Sequence, residues 1–254
     1  MHFPHITNSL GERLDTLVEG NAKSTTTIIF VHGFAVDKHE TGCFFDDIAQ
    51  TLGKTFRIVR FDFSGCGKSE GKIEEKDYKV WADDLRCVLE YTKKNFHGNI
   101  FICAQSMGTF VTALLNPDGI QKTIFTGIPN ANTAYIQEKM VKRFGSRPGA
   151  HVDFQGITTF PRSSGKVTKV GPSFWKVLLV FDPEKAVRTF AKKTKLLTVH
   201  PKQDEIVGSK FLEVYAKISE VQDEWMDGDH SFSDKSQRET LIQRMFLFFT
   251  SPQG

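Results

Sequence analysis

The chain has 254 residues, a length that a single α/β core can fill. Hydrophobic residues make up 39% and charged residues 25%, which excludes a disordered chain. Basic residues number 33 against 30 acidic ones, and the basic residues are scattered, which argues against a nucleic-acid partner.

The opening Met1-His2-Phe3-Pro4-His5 has no basic region followed by an apolar core, so no secretory signal is read there. No apolar run approaches the ~20 residues that span a bilayer. The expectation is a cytoplasmic protein without stable membrane insertion. From Glu12 to Glu19, Leu14, Thr16 and Val18 share one face, which predicts an antiparallel strand at a sheet edge. Continuous apolar runs then mark strands buried on both faces: Thr27–Val31, Phe56–Asp62, Asn99–Ala104, Lys122–Thr126 and Lys195–Val199. Val221–Met226 is a weaker last strand. Helical spacing of apolar residues predicts helices over Asp77–Phe96, Ser106–Leu115 and Lys235–Phe249. The alternation predicts an α/β fold with a mostly parallel central sheet and helices on both faces.

One stretch breaks the rhythm. Between about Asn130 and Pro183 a helix is expected near Ala131–Phe144. A segment rich in Gly, Pro, Ser and Thr follows, with hairpins around Val152–Thr159 and Gly165–Val170. Long irregular insertions of this kind are often lids or binding loops. The reading is one domain over 1–254 with a small cap insertion at about 131–182. The cysteines at 43, 66, 87 and 103 lack metal-finger or redox spacing, so reduced thiols and no metal site are expected.

The chemistry begins at Ala104-Gln105-Ser106-Met107-Gly108, between the predicted strand at 99–104 and a predicted helix. A nucleophile raised on a tight strand-to-helix turn needs small residues two positions away, or side chains collide with strand and helix. Ala104 stands where the usual G-x-S-x-G pattern has Gly, and Ala is the least intrusive replacement. A base is expected in a loop at the carboxyl end of the sheet, and His230 follows the last predicted strand. The orienting acid should lie between them in sequence, and Asp204 sits just past the strand at 195–199. Asp182, Asp223 and Asp227 are weaker choices. The amides of Phe34, after the turn His32-Gly33, and of Met107, at a helix start, are the expected oxyanion donors. His32 itself is read as structural. Asp62 to Ser69 (DFSGCGKS) is Gly-rich but lacks the G-x-x-x-x-G-K-[ST] spacing, so it is read as a tight loop rather than a phosphate cradle.

Taken together, HGF at 32–34, DFSGCGKS at 62–69, AQSMG at 104–108, PKQDEIV at 201–207 and DGDHSF at 227–232 resemble the α/β-hydrolase superfamily along nearly the whole chain. Within it the chain looks like bacterial carboxylesterases of the feruloyl (cinnamoyl) esterase and monoacylglycerol-lipase-like group. That narrower likeness rests on the HGF opening, the GKSEGK loop and a short cap after the sixth strand. The departures are Ala104 for Gly, and His200-Pro201 where the family often has His-Gly. The resemblance implies a cofactor-free serine hydrolase that cleaves carboxylic esters through an acyl-enzyme, with Ser106, His230 and Asp204 as its triad. Phe34, Phe154, Phe160, Phe174 and Trp175 are candidates for an acyl- or aromatic-binding wall under the cap. The expected partner is a small-molecule ester, and a homodimer is allowed. A peptidase, thioesterase or acyltransferase on the same site stays open, as does a non-catalytic binding protein of the same fold.

Overall fold

A computed structural model describes residues 1–162 and 165–252. Its first half runs β1 (His5–Thr7), β2 (Arg13–Gly20), β3 (Thr26–Val31), α1 (Phe44–Leu52), β4 (Arg57–Phe61), α2 (Tyr78–Asn95), β5 (Asn99–Gln105), α3 (Met107–Leu115) and β6 (Ile120–Thr126). Then come α4 (Thr133–Phe144), β7 (Thr158–Pro161), β8 (Val167–Val170), α5 (Pro172–Val180), α6 (Pro183–Ala191), β9 (Lys195–Pro201), α7 (Glu213–Ala216), β10 (Val221–Met226) and α8 (Lys235–Thr250). Eight strands form one sheet in the order β1-β2-β4-β3-β5-β6-β9-β10. From β4 to β10 every pairing is parallel, while β1–β2 and β2–β4 are antiparallel.

The sheet separates two apolar layers. On one side α1 and α8 bury Phe44, Phe45, Ile48, Leu241, Met245 and Phe248 against Ile28, Phe30 and Phe101. On the other, α2, α3, α5 and α6 bury Trp81, Leu85, Phe110, Val111, Trp175 and Phe190. Each such side chain contributes about 1.5–3 kcal/mol when fully withdrawn from water. Lys122, inside β6, is 1% exposed. Its ammonium donates to the carbonyls of Phe248 (3.0 Å) and Phe249 (3.1 Å), so a cation meets the C-terminal end of α8, where the helix dipole favours it.

The sequence expectations need three adjustments. β2 is antiparallel as expected, but it is not the edge: β1 pairs outside it and buries Ile6. A three-residue strand is too short to show a period. The two hairpins expected after α4 are one, β7 with β8, and residues 152–157 carry turns instead of a strand. Four helices were not expected: α1, α5, α6 and α7. Among the described residues, no helix is long and apolar enough to cross a membrane.

Candidate active site

Ser106 lies between β5 and α3 with φ 52° and ψ −123°. A non-glycine residue in that region is strained, at about 1–3 kcal/mol, and persists only where its surroundings dictate it. Here they do. The Ser106 amide donates to Thr126 on the neighbouring strand (2.9 Å), and α3 starts at the next residue. A Cβ on Gly108 would stand 2.4 Å from the Val31 carbonyl oxygen and 2.7 Å from that of His32. Glycine therefore lets α3 close onto β3 and turns the serine outward. Met107, as first residue of α3, has an amide with no partner inside the helix.

Asp204 follows β9 and is 9% exposed. One of its oxygens accepts the amides of Ile206 (2.8 Å) and Val207 (2.9 Å), and the other is 2.6 Å from His230 Nδ1. The backbone bonds hold the carboxylate in place, and the carboxylate fixes the imidazole with Nε2 facing away from it. The weaker acid candidates are occupied elsewhere. Asp182 caps α6, Asp223 bonds His200 at 2.6 Å, and Asp227 pairs with Lys202. His200, just before the Pro201 departure noted above, is thereby a buried strand residue packed between Trp225 and Tyr215.

Several residues hold His230 without touching its ring nitrogens. Gln105 Nε2 donates to the His230 carbonyl at 2.7 Å, while its other amide atom is bonded to Thr126. Gly127, at φ 55°, lets the imidazole approach, since a Cβ there would lie 3.0 Å from His230 Cε1. Arg238 clamps the loop from behind, donating to the carbonyls of Phe232 (2.8 Å) and Ser231 (3.2 Å). Gln105 was missed by sequence reasoning, although its place between strand and serine was a usable signal.

The turn after β3 is held as closely. His32 is fully buried, and its Nε2 accepts the Phe63 amide at 2.9 Å. That ring is therefore neutral, with the proton on Nδ1 donated to the Gly33 carbonyl at 2.8 Å. Burial accordingly holds its pKa below the ordinary histidine value. The Gly-rich loop after β4 wraps an internal anion. Asp62 accepts the amides of Lys38 (2.7 Å) and Lys68 (2.8 Å), and Gly67 leaves room for its carboxylate. Glu40, not singled out from sequence, accepts the amides of Gly33 and Thr41. Burial pushes its carboxyl up to about 7.

Ser106, His230, Phe34 and Met107 all line one cavity of about 190 Å³. Among the described residues the Ser106 hydroxyl makes no hydrogen bond, so hydroxyl and imidazole share the cavity without being joined. Such bonds often tighten only when substrate is bound. Of the expected aromatic wall, Phe34 and Phe174 line the cavity. Phe160 and Trp175 do not; they are 0% and 1% exposed, Phe160 tilted against Phe144 and Trp175 edge-on to Phe174. Phe154 sits outside, edge-on to Trp175. Phe160 and Trp175 fill the interior of the 131–182 segment, and Phe174 packs that segment against Phe34, Tyr78 and Trp81. Tyr78, Glu40, Arg143, Phe144 and Arg162 line the cavity instead.

The same architecture occurs in solved structures. Est1E from Butyrivibrio proteoclasticus, with ferulic acid bound, superposes with a TM-score of 0.77 at 21% identity, over 98% of this chain and 100% of that one. An esterase of Pyrococcus furiosus gives 0.76 at 17% identity, covering 100% and 91%. This chain has the α/β-hydrolase fold. Mouse alpha/beta hydrolase domain-containing protein 10 shares it at TM-score 0.66 and 18% identity, over 97% of each chain. Residues 22–146 match the family described as serine aminopeptidase, S33. That match takes in Ser106 and stops before Asp204 and His230. No curated protein matches the chain.

Proposed function

We propose that the protein is a carboxylic ester hydrolase that works through Ser106, His230 and Asp204. His230 Nε2 takes the proton of Ser106 as Oγ bonds to the ester carbonyl carbon. The amides of Phe34 and Met107 hold the oxyanion. The C–O bond to the alcohol breaks, and the alcohol leaves with the proton from His230. Water then attacks the acyl-enzyme, gives its proton to the same imidazole and releases the acid, and the serine recovers its proton. The 131–182 segment acts as the cap over this reaction. The observation that carries the reading is the 2.6 Å contact of His230 Nδ1 with Asp204, on a cavity shared with a serine at φ 52°.

An aminopeptidase reading draws on the family match. It needs a carboxylate for the substrate ammonium. Glu40 is the one carboxylate lining the cavity among the described residues, and the amides of Gly33 and Thr41 already bind it. Ester cleavage makes no such demand. The test is labelling by a fluorophosphonate and hydrolysis of aryl esters, beside thioesters and aminoacyl amides. Both labelling and ester hydrolysis should vanish in Ser106→Ala. An unlabelled wild-type protein that leaves every substrate intact would turn the reading to a binding protein.

A further inference from the structure

The cap side of the cavity is basic, and nothing in the reaction above uses that charge. Lys139, Arg143 and Arg162 line the cavity with Ser106. Lys139 donates only to the carbonyls of Glu205 and Val207, both at 3.3 Å. Arg162 donates to Thr168 Oγ1 at 2.8 Å and to the Phe34 carbonyl at 3.5 Å. Among the described residues none of the three has a carboxylate partner.

The guanidiniums are also crowded. Those of Arg162, Arg147 and Arg143 stand 4.9, 5.1 and 5.8 Å from the centre of the same Phe144 ring. A ring face compensates one cation at a time, and like charges gathered around it repel. Burial, and then the charges of Arg147 and Arg143, make the protonated form of Arg162 harder to keep than that of a free arginine. Three cations held together without an anion cost free energy, unless a ligand supplies the missing charge.

Resting on the ester-hydrolase reading, we propose that the natural substrate is an ester bearing an anionic group, carboxylate or phosphate, which Arg162 and Arg143 bind under the cap with Lys139 beside them. Arg162 is the centre of this subsite. It is bonded to the backbone of Phe34, whose amide faces the oxyanion in the proposed mechanism, so the anion sits on the cap side of the carbonyl being cleaved. Guanidiniums suit carboxylate and phosphate alike, because two parallel N–H groups match two oxygens. The anion also separates this site from one that takes purely apolar acyl chains.

The experiment compares pairs of esters that differ only in charge. One arm sets 4-nitrophenyl monoesters of four- to eight-carbon dicarboxylic acids against 4-nitrophenyl esters of monocarboxylic acids of equal length. The other sets an acylglycerol 3-phosphate against the same acylglycerol. In at least one arm the anionic member should have a kcat/KM at least about tenfold higher, and added salt should shrink the gap. Which arm responds tells carboxylate from phosphate. In Arg143→Gln/Arg162→Gln the preference should fall to within about twofold, and Arg162→Lys should retain part of it. Equal turnover of charged and neutral members by the wild type overturns the proposal, as does a preference that survives the double substitution. If the double variant does not fold, competition by inorganic phosphate against the neutral ester, at fixed ionic strength in the wild type, decides instead: inhibition supports the subsite, and none overturns it. If no ester is cleaved and a fluorophosphonate leaves Ser106 unlabelled, the hydrolase reading has failed on its own. Calorimetry of glutarate and inorganic phosphate with Ser106→Ala then settles the anion subsite separately: binding that is lost with the arginines supports it, and no binding overturns it.

Discussion

Two of the helices that border the cavity, α3 and α4, are built in opposite ways. In α3, seven of nine residues are buried, and the turn before it is held by strand bonds and by a glycine pressed against backbone. In α4, which carries Lys139, Met140 and Arg143, no residue is buried. Its ties to the body run through Tyr135, edge-on to Phe211, and through Lys139, which donates to the carbonyls of Glu205 and Val207. A nucleophile must be held to a fraction of an ångström, whereas a substrate-binding wall needs only to be present when the substrate is. In the proposed function, that difference places chemistry at the sheet rim and selection at the cap.

The most forceful way to break that division is to strike the rim. Ser106→Ala should lower ester kcat by about 10⁴-fold or more, and Asp204→Asn by a comparable factor, because the carboxamide no longer fixes the imidazole tautomer. Steady-state kinetics with an aryl ester measures both. If Asp204→Asn retained near wild-type kcat, the acid would have to be sought elsewhere. Gly108→Ala comes next. Its new methyl would meet the carbonyl oxygens of Val31 and His32, which are backbone and cannot step aside. The expected cost is about 1–3 kcal/mol of stability, with most activity lost, read by denaturant unfolding and by kcat. A smaller effect is expected from Gln105→Leu, which releases the His230 carbonyl. A drop of roughly tenfold in kcat with little change in KM would mark a positioning residue; a change in KM alone would not.

Glu40 sharpens the comparison from a different side. Its carboxyl is raised from 4.5 to about 7 by burial. Between those values the folded protein keeps a proton that the unfolded chain has lost. The stability this group contributes is therefore full below 4.5 and is lost as pH rises through about 7. Glu40→Gln carries no such proton, so its stability should vary less with pH across that window. Unfolding in urea at several pH values measures the slope. Identical slopes in both proteins would mean that the carboxyl is not held in its neutral form.

Much of this was legible in the sequence, for identifiable reasons. Strands buried on both faces appear as unbroken apolar runs, so β3 to β6 and β9 could be read directly. Ser106 and Asp204 each follow such a run and His230 follows the weaker β10, and their order along the chain is the one the strand-to-helix turn pattern calls for. The cap was legible only in part: the helix expected near Ala131–Phe144 is α4, but α5 opens on the Gly171-Pro172 pair, which reads as a turn. α1 did show apolar residues at 44, 45, 48 and 52, but its start at Cys43 in a left-handed turn lacks a side-chain cap to announce it. Three of the five aromatics expected at the wall lie off the cavity, because an aromatic packed inside a cap and one facing a cavity have the same sequence signature. Arg162 and Glu40 gave no signal at all, since what distinguishes them is the neighbours they lack or gain in space.

The finest test applies one substitution to both helices. Val111 in α3 is 0% exposed, and Val141 occupies a partly exposed position in α4. Both lose the same two methyl groups on replacement by alanine, so any difference between them comes from surroundings. Val111→Ala leaves a void in a packed layer and should cost about 1–2 kcal/mol. Val141→Ala faces water and loose packing, and should stay within about 0.5 kcal/mol. Denaturant midpoints measured side by side give the comparison. If Val141→Ala cost as much as its counterpart, the cap would be part of the same cooperative core as the rim, and selection could not be altered there without disturbing the serine. If the gap is found, the basic face of α4 can be rewritten at little cost to the fold, which is what a specificity element on a fixed catalytic frame requires.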